Sequence, residues 1–543
     1  MEKEILELYN LIKNKNIEKA YSVCKKLYRS NKNNKSIVKI MAYLYIQKSQ
    51  YQRAMDILEN FYQSGSIDKD FDYYINMGVC KKSVEDFEES IYMYERAIEI
   101  NSDSPLCYMI PAEIYLKLRD FQKSVELIDI ALSKIKDTSV GNIHYANAIK
   151  LKTEIYVALN RDKENEDMLM SILSNDFYPD IFYLLSNVNK KLINEKLLSS
   201  AEKQLEEYDK KYENRLKRFW YVHPIYFGLA IYYNNKDKKK SEDFYEIGNK
   251  EIMNSLRYNS FEYQKDIVKV MDCFEEKILK EDENKDYFGE NNVFILGTPR
   301  SGTTLIESFI ASNNEVTSGG ELLSARDLIY SFTQNFENKS VEIFIDEFRK
   351  TYLKRTDYLR GNHSKIVDKL PDNFLYIGFL TKILPNSKII RTFRNPWDVA
   401  ISLFKQRYVT NIPYSASFFN IGVFMANFEA INIYWNKVIK IKSNILDIKY
   451  EELVDDPGYY QKKIYDFLEI KSEFDEEKRK AFFSHTASMR QIGTGIHKKS
   501  VSKEEFVTHK GEFYESLAMQ RKYWQKNGLY STNGDFFGYK ISD

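Results

Sequence analysis

One segment of the chain combines residue types that are suited to holding anions. Residues 297–304 read Gly-Thr-Pro-Arg-Ser-Gly-Thr-Thr and follow a short apolar run, 293–296, that predicts a buried strand. A helical pattern begins directly afterwards, so the segment is a tight loop between a strand and a helix N-terminus. Such a loop binds phosphate-like groups, because unpaired backbone N–H groups and the helix dipole point into it. The alternative is an ordinary glycine turn.

The loop carries its own cation. Gly297 and Gly302 have the spacing of the G-x-x-x-x-G-K-[ST] phosphate loop, but Thr303 stands where that motif needs lysine. A nucleotide triphosphatase would therefore lack the lysine that reaches the β- and γ-phosphates. Arg300 supplies a guanidinium inside the loop instead. We expect one or two anionic groups held without magnesium by this guanidinium, by backbone amides and by the hydroxyls of Ser301, Thr303 and Thr304.

A second candidate anion site lies about 90 residues further on. Arg394 follows an apolar run at the end of a predicted strand, and Pro396 is suited to the first turn of a helix. Ser402 comes eight residues after Arg394, about two helical turns along. We therefore expect both side chains to hold one phosphate. The alternative is a purely structural Arg–Pro turn.

These residues need a sheet to bring them together. Apolar runs predict further strands at 365–369, 387–393 and 444–450, and helical patterns cover 373–383, 397–408, 418–440 and 459–468. Alternating strands and helices indicate a parallel sheet with helices on its faces. Ligands of such sheets bind at the carboxyl ends of the strands, where the 297–304 loop lies.

The N-terminal half repeats itself in steps of about 34 residues, from residues 1, 35, 71 and 105. Small residues such as Gly78 and Ser90 recur at the eighth and twentieth positions of the units, although Leu8 in the first unit is large. The pattern resembles tetratricopeptide repeats and implies an α-solenoid whose concave surface binds peptides or proteins. An unrelated helical array, or repeats that only pack on a second domain, are the alternatives. Weaker units follow near 146–175 and 222–255, the charged segment 199–218 predicts an exposed helix, and 252–280 predicts one more helix.

Length and composition favour a cytoplasmic protein of two or three domains. The 543 residues carry a net charge of +1, which gives no reason to expect a nucleic-acid partner. No apolar run suits secretion or a membrane span, and the four cysteines have neither metal nor disulfide spacing. The polar run 280–286 is the predicted boundary between a repeat domain, 1–280, and an α/β domain, 290–543.

Together the two anion segments resemble a known family. Residues 290 to about 525 are similar to the sulfotransferases that use 3′-phosphoadenosine 5′-phosphosulfate (PAPS) and release 3′,5′-adenosine bisphosphate, without a metal. The resemblance implies that Arg394 and Ser402 clamp the 3′-phosphate and that Tyr450 lies near the adenine. It makes the 297–304 loop the 5′-phosphosulfate loop. The further nucleotide contacts that it implies are Thr298, Pro299, Thr486, Ser488 and Lys503.

The resemblance also implies the catalytic residues. Many cytosolic members have a histidine base after the second strand, where this chain reads Val-Asp-Lys369-Leu-Pro371 without a histidine. Tyrosylprotein sulfotransferases and several carbohydrate-directed relatives use a glutamate after the first helix instead, and Glu321 matches it. Glu321 is thus the expected general base, with Lys369 and Arg300 stabilising the transferring group and Ser488 as a weaker candidate for a helper. A helix-terminal acid and a surface lysine are the structural alternatives for Glu321 and Lys369.

The function implied is sulfuryl transfer to an acceptor hydroxyl, with the repeat domain recruiting the acceptor. Protein tyrosine is the favoured acceptor, because the resemblance to the glutamate-using enzymes and a solenoid of the peptide-binding type both favour a polypeptide. A phenol, with a pKa of about 10, also needs less help from a carboxylate than an alcohol does. A carbohydrate, lipid or small-molecule hydroxyl is the alternative, and an inactive nucleotide-binding scaffold is a hypothesis of another class. The aromatic run 412–424 either walls the acceptor pocket or belongs to the core. A homodimer is compatible with the resemblance.

Overall fold

The structure is a computed structural model with side chains. It describes the chain except for residues 1, 15, 65–68, 141, 212–214, 257, 280–287, 335, 410–411, 440–441, 472–478, 480–481, 483–504, 530–534, 537–538 and 541–543. The fold has two compact units, Met1–Ile155 and Tyr156–Asp543. In the part that is described, no helix combines the length and the apolar character that crossing a membrane requires.

Fifteen α-helices of the described residues precede the sheet. They are α1 Glu2–Lys13, α2 Ile17–Ser30, α3 Lys35–Gln47, α4 Tyr51–Ser64, α5 Phe71–Ser83, α6 Phe87–Ile100, α7 Leu106–Lys117, α8 Phe121–Lys134, α9 Ile143–Ala158, α10 Asp162–Asn175, α11 Pro179–Asn189, α12 Glu195–Lys211, α13 Arg215–Tyr233, α14 Lys238–Ser255 and α15 Ser260–Cys273. The α-solenoid predicted from the 34-residue period is confirmed.

The repeats hold together through a contact that recurs at the repeat spacing. The Ser90 hydroxyl donates to the Gly78 carbonyl at 2.8 Å, and the Ser124 hydroxyl donates to the Ala112 carbonyl at 2.6 Å. A Cβ on Gly78 would lie 2.8 Å from the Tyr94 ring, so a small residue is needed there for the two helices to approach. The eighth and twentieth positions therefore act as a hydrogen-bonded pair.

One helix prediction needs correction. The segment 252–280 does not form one helix, because α14 ends at Ser255 and α15 begins at Ser260 behind an Asn259 cap that accepts from the Phe261 amide. The charged segment 199–218 lies on α12 and α13, and residues 212–214 between them are outside the described residues. The apolar spacing that predicted one helix over 252–280 did not reveal the break after Ser255.

A five-stranded parallel sheet forms the centre of the second unit. Its strands are β1 Asn292–Gly297, β2 Val316–Ser318, β3 Lys365–Asp368, β4 Lys388–Phe393 and β5 Ile445–Lys449, in the spatial order β2-β3-β1-β4-β5. The parallel α/β sheet predicted from the sequence is confirmed. The short strand β2 was not predicted, and a two-stranded antiparallel pair, Asp535–Phe536 with Tyr539–Lys540, follows near the C-terminus.

Helices cover both faces of the sheet. They are α16 Thr303–Ala311, α17 Ser324–Thr333, α18 Val341–Arg360, α19 Ile377–Ile383, α20 Pro396–Phe404, α21 Phe418–Val438, α22 Tyr450–Asp455, α23 Pro457–Leu468 and α24 Lys510–Lys526. Alternate residues of β1 enter different cores, with Val293 and Ile295 on one face and Phe294 and Leu296 on the other. The sheet is therefore buried on both sides.

Helices that precede the sheet in sequence share its core. Ile267 and Phe274 pack in the same cluster as Phe294, and the Asn249 side chain donates to the Phe404 carbonyl at 2.7 Å. The predicted boundary run, 280–286, lies outside the described residues. The division into domains 1–280 and 290–543 therefore stays a prediction.

Candidate active site

The loop after β1 is a strained turn that leads into α16. Arg300 has φ +73° and Gly302 has φ +102°, both in the left-handed region that side chains usually avoid. The Ser301 hydroxyl donates to the Thr298 carbonyl at 2.6 Å and is hydrogen-bonded to the Thr392 hydroxyl of β4 at 2.5 Å. These bonds fix the loop against the neighbouring strand.

Two glycines let other groups approach the loop closely. A Cβ on Gly297 would collide with the Thr392 side chain, and one on Gly302 would lie 2.5 Å from the Tyr450 ring. Tyr450 thus lies directly against the anion loop. The remaining loop residues predicted to bind nucleotide, Thr298, Pro299, Thr303 and Thr304, are all buried.

The two predicted anion segments meet. Arg300 Nε donates to Ser402 Oγ at 2.9 Å, and an Arg394 guanidinium nitrogen donates to the Arg300 carbonyl at 2.8 Å. The Arg394 guanidinium carbon lies 4.3 Å from the centre of the Tyr450 ring. The structure therefore brings Arg300, Arg394, Ser402 and Tyr450 together. Ser402 contacts Arg300, an arrangement that helical spacing did not indicate.

The turn after β4 places Arg394. The Asn395 side chain accepts hydrogen bonds from the Trp397 and Asp398 amides and so starts α20. The Asn395 backbone N–H donates to a Glu451 carboxylate oxygen at 2.9 Å. This bond connects the turn to α22, beside Tyr450. The C-terminal ends of β4 and β5 are thereby held together at the edge where the loop lies.

Electrostatics of the loop favour an anionic ligand. The Arg300 and Arg394 side chains are 6% and 5% exposed, so two guanidinium groups are largely removed from water. Burial is the main cause that lowers the pKa of Arg300, and the nearby positive charge of Arg394 lowers it further. A bound anion would offset both effects.

A second charged group lies at the ends of β2 and β3. The Gly319 amide donates to the Val367 carbonyl at 2.8 Å, and the Lys369 amide donates to the Gly320 carbonyl at 2.8 Å. Gly320 has φ +69°, which turns the chain so that Glu321 faces Lys369. Lys369 Nζ lies 2.7 Å from a Glu321 carboxylate oxygen, with side chains that are 0% and 41% exposed respectively.

Residues 292–476 match the sulfotransferase family model. The chain carries a sulfotransferase-family domain. The match begins at the first residue of β1 and therefore includes the loop, the Glu321–Lys369 pair and the Arg394 turn.

Curated relatives are similar to parts of the chain. An uncharacterized protein from Aquifex aeolicus is 28% identical over 298 residues, which cover 50% of this chain and 38% of that protein. A Caenorhabditis briggsae protein with the provisional name protein-tyrosine sulfotransferase is 21% identical over 206 residues, covering 33% of this chain and 66% of that one. The chain thus spans less than two thirds of the length of either relative.

Solved structures show weaker likeness. The sulfotransferase domain of the Synechococcus PCC 7002 olefin synthase is 17% identical, with a TM-score of 0.29, and covers 47% of this chain and 100% of that domain. A tetratricopeptide repeat protein from Parabacteroides merdae is 12% identical, with a TM-score of 0.30, and covers 48% of this chain and 93% of that one.

The donor groups of the sulfotransferase domain fit a phosphosulfate nucleotide. Arg300 and Arg394 place two buried guanidiniums at one loop, and α16 begins at Thr303 directly after that loop, so its positive dipole end faces the site. The Tyr450 ring, against which Arg394 lies, offers an aromatic face. Guanidinium groups, helix amides and an aromatic face are the chemistry that a nucleotide with two anionic ends requires.

Tyrosines and a carboxylate surround the Glu321 end of the site. Burial raises the pKa of Tyr408, and its hydroxyl feels the charges of both Arg300 and Glu321. Burial also raises the pKa of Asp372, which lies near Arg326 and Glu321. Both side chains are partly accessible. Tyr408 and Asp372 are therefore polar groups in the surroundings of Glu321.

The aromatic run 412–424 belongs mainly to the core. Tyr414 stacks on Phe424 with ring centres 3.9 Å apart, and Phe418 is 2% exposed. Burial raises the pKa of Tyr414 well above its usual value, with Asp372 as the largest charged contributor. Tyr414 therefore belongs to the part of the core that adjoins Asp372.

Some site residues fall outside these observations, and others were missed. Thr486, Ser488 and Lys503 lie outside the described residues, so their nucleotide contacts stay predictions. Sequence analysis missed Glu307, Thr392, Tyr408 and Asp372. Glu307 alone had a signal, as a carboxylate in the otherwise apolar run of α16.

Proposed function

We propose that this protein transfers a sulfuryl group from PAPS to an acceptor hydroxyl. The observation that carries the proposal is the junction of two anion sites, where Arg300 binds Ser402 and Arg394 binds the Arg300 carbonyl. The Glu321–Lys369 pair lies at the ends of the neighbouring strands β2 and β3. A nucleotide pocket and an acid–base pair thus share one edge of the sheet.

The chain's residues would divide the chemistry among them. PAPS, when bound, supplies the sulfuryl group and a phosphate leaving group. Glu321 accepts the proton of the acceptor hydroxyl, a task for a carboxylate with access to the acceptor, and its side chain is 41% exposed. Arg300 and Lys369 place positive charge where negative charge develops, as in-line transfer of such groups requires.

Protein or peptide tyrosine is the acceptor we favour. The Caenorhabditis briggsae relative carries a tyrosine sulfotransferase name, and solenoids of helical repeats typically bind peptides. In this proposal the repeat helices recruit the acceptor protein. A carbohydrate hydroxyl is the second candidate, since tyrosines and carboxylates such as Tyr408 and Asp372 flank Glu321. Such groups stack on sugars and bind their hydroxyls.

Calorimetry tests the nucleotide half of the proposal. The full chain should bind 3′,5′-adenosine bisphosphate at least about 100-fold more tightly than ATP, because two separate anion sites suit two phosphate ends. Equal or tighter ATP binding would contradict the proposal.

A substitution tests the catalytic half. Glu321→Ala should leave bisphosphate affinity unchanged and reduce transfer by about 100-fold or more, the usual weight of a general base. An unaffected rate would remove Glu321 from this role. A wild-type chain that binds the bisphosphate but transfers to no class of hydroxyl would indicate the inactive scaffold.

A further inference from the structure

A second carboxylate lies behind the Glu321–Lys369 pair. Glu307 belongs to α16, the helix that follows the anion loop, and its side chain is 0% exposed. One carboxylate oxygen, Oε2, lies 3.7 Å from Lys369 Nζ. The other, Oε1, accepts a hydrogen bond from the Ser318 hydroxyl at 2.5 Å. The proposed mechanism leaves this residue without a role.

The three charged side chains of this cluster, Glu307, Glu321 and Lys369, differ in their exposure to water. Lys369 and Glu307 are both 0% exposed, whereas Glu321 is 41% exposed. A buried ammonium is costly unless a carboxylate stays beside it. Glu321 can meet water and an acceptor, but Glu307 faces only the protein in the described structure. Glu307 and Glu321 therefore cannot have the same role.

We propose that Glu307 is a positioning residue that keeps the Lys369 ammonium in place when Glu321 takes up the acceptor's proton. This inference rests on the proposed sulfuryl transfer and adds a residue to it. Glu307 touches neither acceptor nor nucleotide in this proposal and acts through Lys369.

The charge balance explains why a second carboxylate is needed. During transfer the hydroxyl proton of the acceptor moves to a Glu321 oxygen, and the acceptor oxygen bonds to sulfur. The electron pair of the broken sulfur–oxygen bond goes to the departing phosphate. The cluster thus passes from two carboxylates and one ammonium to one of each. Glu307 is the carboxylate that remains beside Lys369, so the ammonium keeps a partner while it donates to the departing oxygen.

The contacts of Ser318 couple Glu307 to the turn that bears Glu321. The Ser318 hydroxyl donates to Glu307 and accepts from the Gly320 amide at 3.0 Å. Ser318 ends β2, and Glu321 follows three residues later. The buried carboxylate, the ammonium and the general base are therefore fixed in one hydrogen-bonded frame rather than on independent loops.

Glu307→Gln separates charge from shape. The amide oxygen can still accept from Ser318, but an NH₂ group now faces the Lys369 ammonium. We expect kcat to fall about 100-fold, while KM for PAPS and the calorimetric Kd of 3′,5′-adenosine bisphosphate change by less than about twofold. Glu307→Asp keeps the charge and should recover part of the lost kcat.

Glu429→Gln is the matched control. Glu429 is another buried carboxylate of the same unit, 1% exposed, and it pairs with Arg521 at 2.6 Å. The substitution alters a comparably buried, ion-paired carboxyl group far along the sequence from the loop, so kcat should stay within about twofold of wild type. Equal losses of kcat in both variants would mean that Glu307 acts through stability alone.

A thermal unfolding cycle gives a readout that does not depend on turnover. Glu307→Gln should lower Tm by about 3 °C when Lys369 is present, because the ammonium loses a partner. In the Lys369→Met background the same change should raise Tm, because it then removes an uncompensated buried carboxylate. An equal fall in both backgrounds would overturn the proposal.

The outcomes also separate this inference from the function on which it rests. A wild-type chain that does not transfer sulfate contradicts the proposed function, whatever the unfolding cycle shows. A wild-type chain that transfers sulfate, with a Glu307→Gln variant of unchanged kcat, contradicts the positioning role alone.

Discussion

Replacing Gly302 by alanine should damage the nucleotide site through one defined contact. Gly302 has φ +102°, and a Cβ there would lie 2.5 Å from the Tyr450 ring. Non-bonded carbons prefer about 3.5–4.0 Å, so the ring must retreat by roughly 1 Å. The Arg394 guanidinium, 4.3 Å from the centre of that ring, must move with it.

The magnitude follows from two costs. The left-handed backbone costs an alanine about 1–2 kcal/mol, and forcing a side chain into a packed site adds about 1–3 kcal/mol. We expect the free energy of unfolding to fall by about 2–5 kcal/mol on these figures. Nucleotide binding must then return the displaced Tyr450 ring and Arg394 guanidinium to their original positions. A cost of about 1.5–3 kcal/mol of binding free energy lowers the affinity for 3′,5′-adenosine bisphosphate about 10- to 100-fold.

A matched glycine separates strain from the ring contact. Gly361 has φ +53°, and a Cβ there would meet nothing within 4 Å. Gly361→Ala should cost about 1–3 kcal/mol of stability, because its backbone angles (φ +53°, ψ −126°) also disfavour a side chain, and should leave bisphosphate affinity unchanged. Chemical denaturation and calorimetry measure the two quantities. Wild-type affinity in Gly302→Ala would refute the placement of Tyr450 and Arg394 at the nucleotide.

Three further predictions concern single contacts. Ser402→Ala removes the acceptor of the Arg300 Nε hydrogen bond, so calorimetric bisphosphate affinity should fall about tenfold; an unchanged Kd would mean that Ser402 does not orient Arg300. Ser90→Ala leaves the Gly78 carbonyl without its hydroxyl donor, and it should lower the free energy of unfolding of the repeats by about 1–2 kcal/mol. Ser124→Ala should have the same effect. Unchanged stability in both variants would refute the stabilising role of the repeat contact. Burial raises the pKa of Glu429 from 4.5 to about 7. Between pH 4.5 and 7 the folded chain therefore keeps a proton on Glu429 that the unfolded chain has lost. The contribution of Glu429 to the free energy of unfolding declines as the pH rises through that range. Glu429→Gln should lack this decline in denaturation curves at a series of pH values, and a parallel pH dependence of variant and wild type would contradict it.

The pattern of apolar residues was sufficient to predict most strands of the sheet. Four of the five sheet strands begin and end within about one residue of the predicted runs, because continuous apolar residues between polar breaks define a buried strand. Strand β2 has three residues, Val316–Ser318, which is too short for a periodic pattern. Helix α18 was missed because its charged residues hide a partial apolar face.

The structure brings several of the predicted site residues together through contacts that the sequence did not indicate. The spacing of Arg394 and Ser402 predicted that both hold one phosphate, which stays a prediction, and tertiary packing directs the Ser402 hydroxyl to Arg300. The pairing of Lys369 with Glu321 depends on strands β2 and β3 being neighbours, which local sequence does not determine. Glu307 lies 62 residues from Lys369, and the fold alone brings them together.

The most direct test of the central claim is transfer itself. The full chain is incubated with PAPS labelled in the sulfuryl group and with protein, glycan and lipid fractions. Our account predicts label in a macromolecular or lipid acceptor, protein tyrosine first, and predicts that Glu321→Gln abolishes it while bisphosphate binding persists. Absence of label from every fraction, or full transfer by the Glu321→Gln variant, would contradict it.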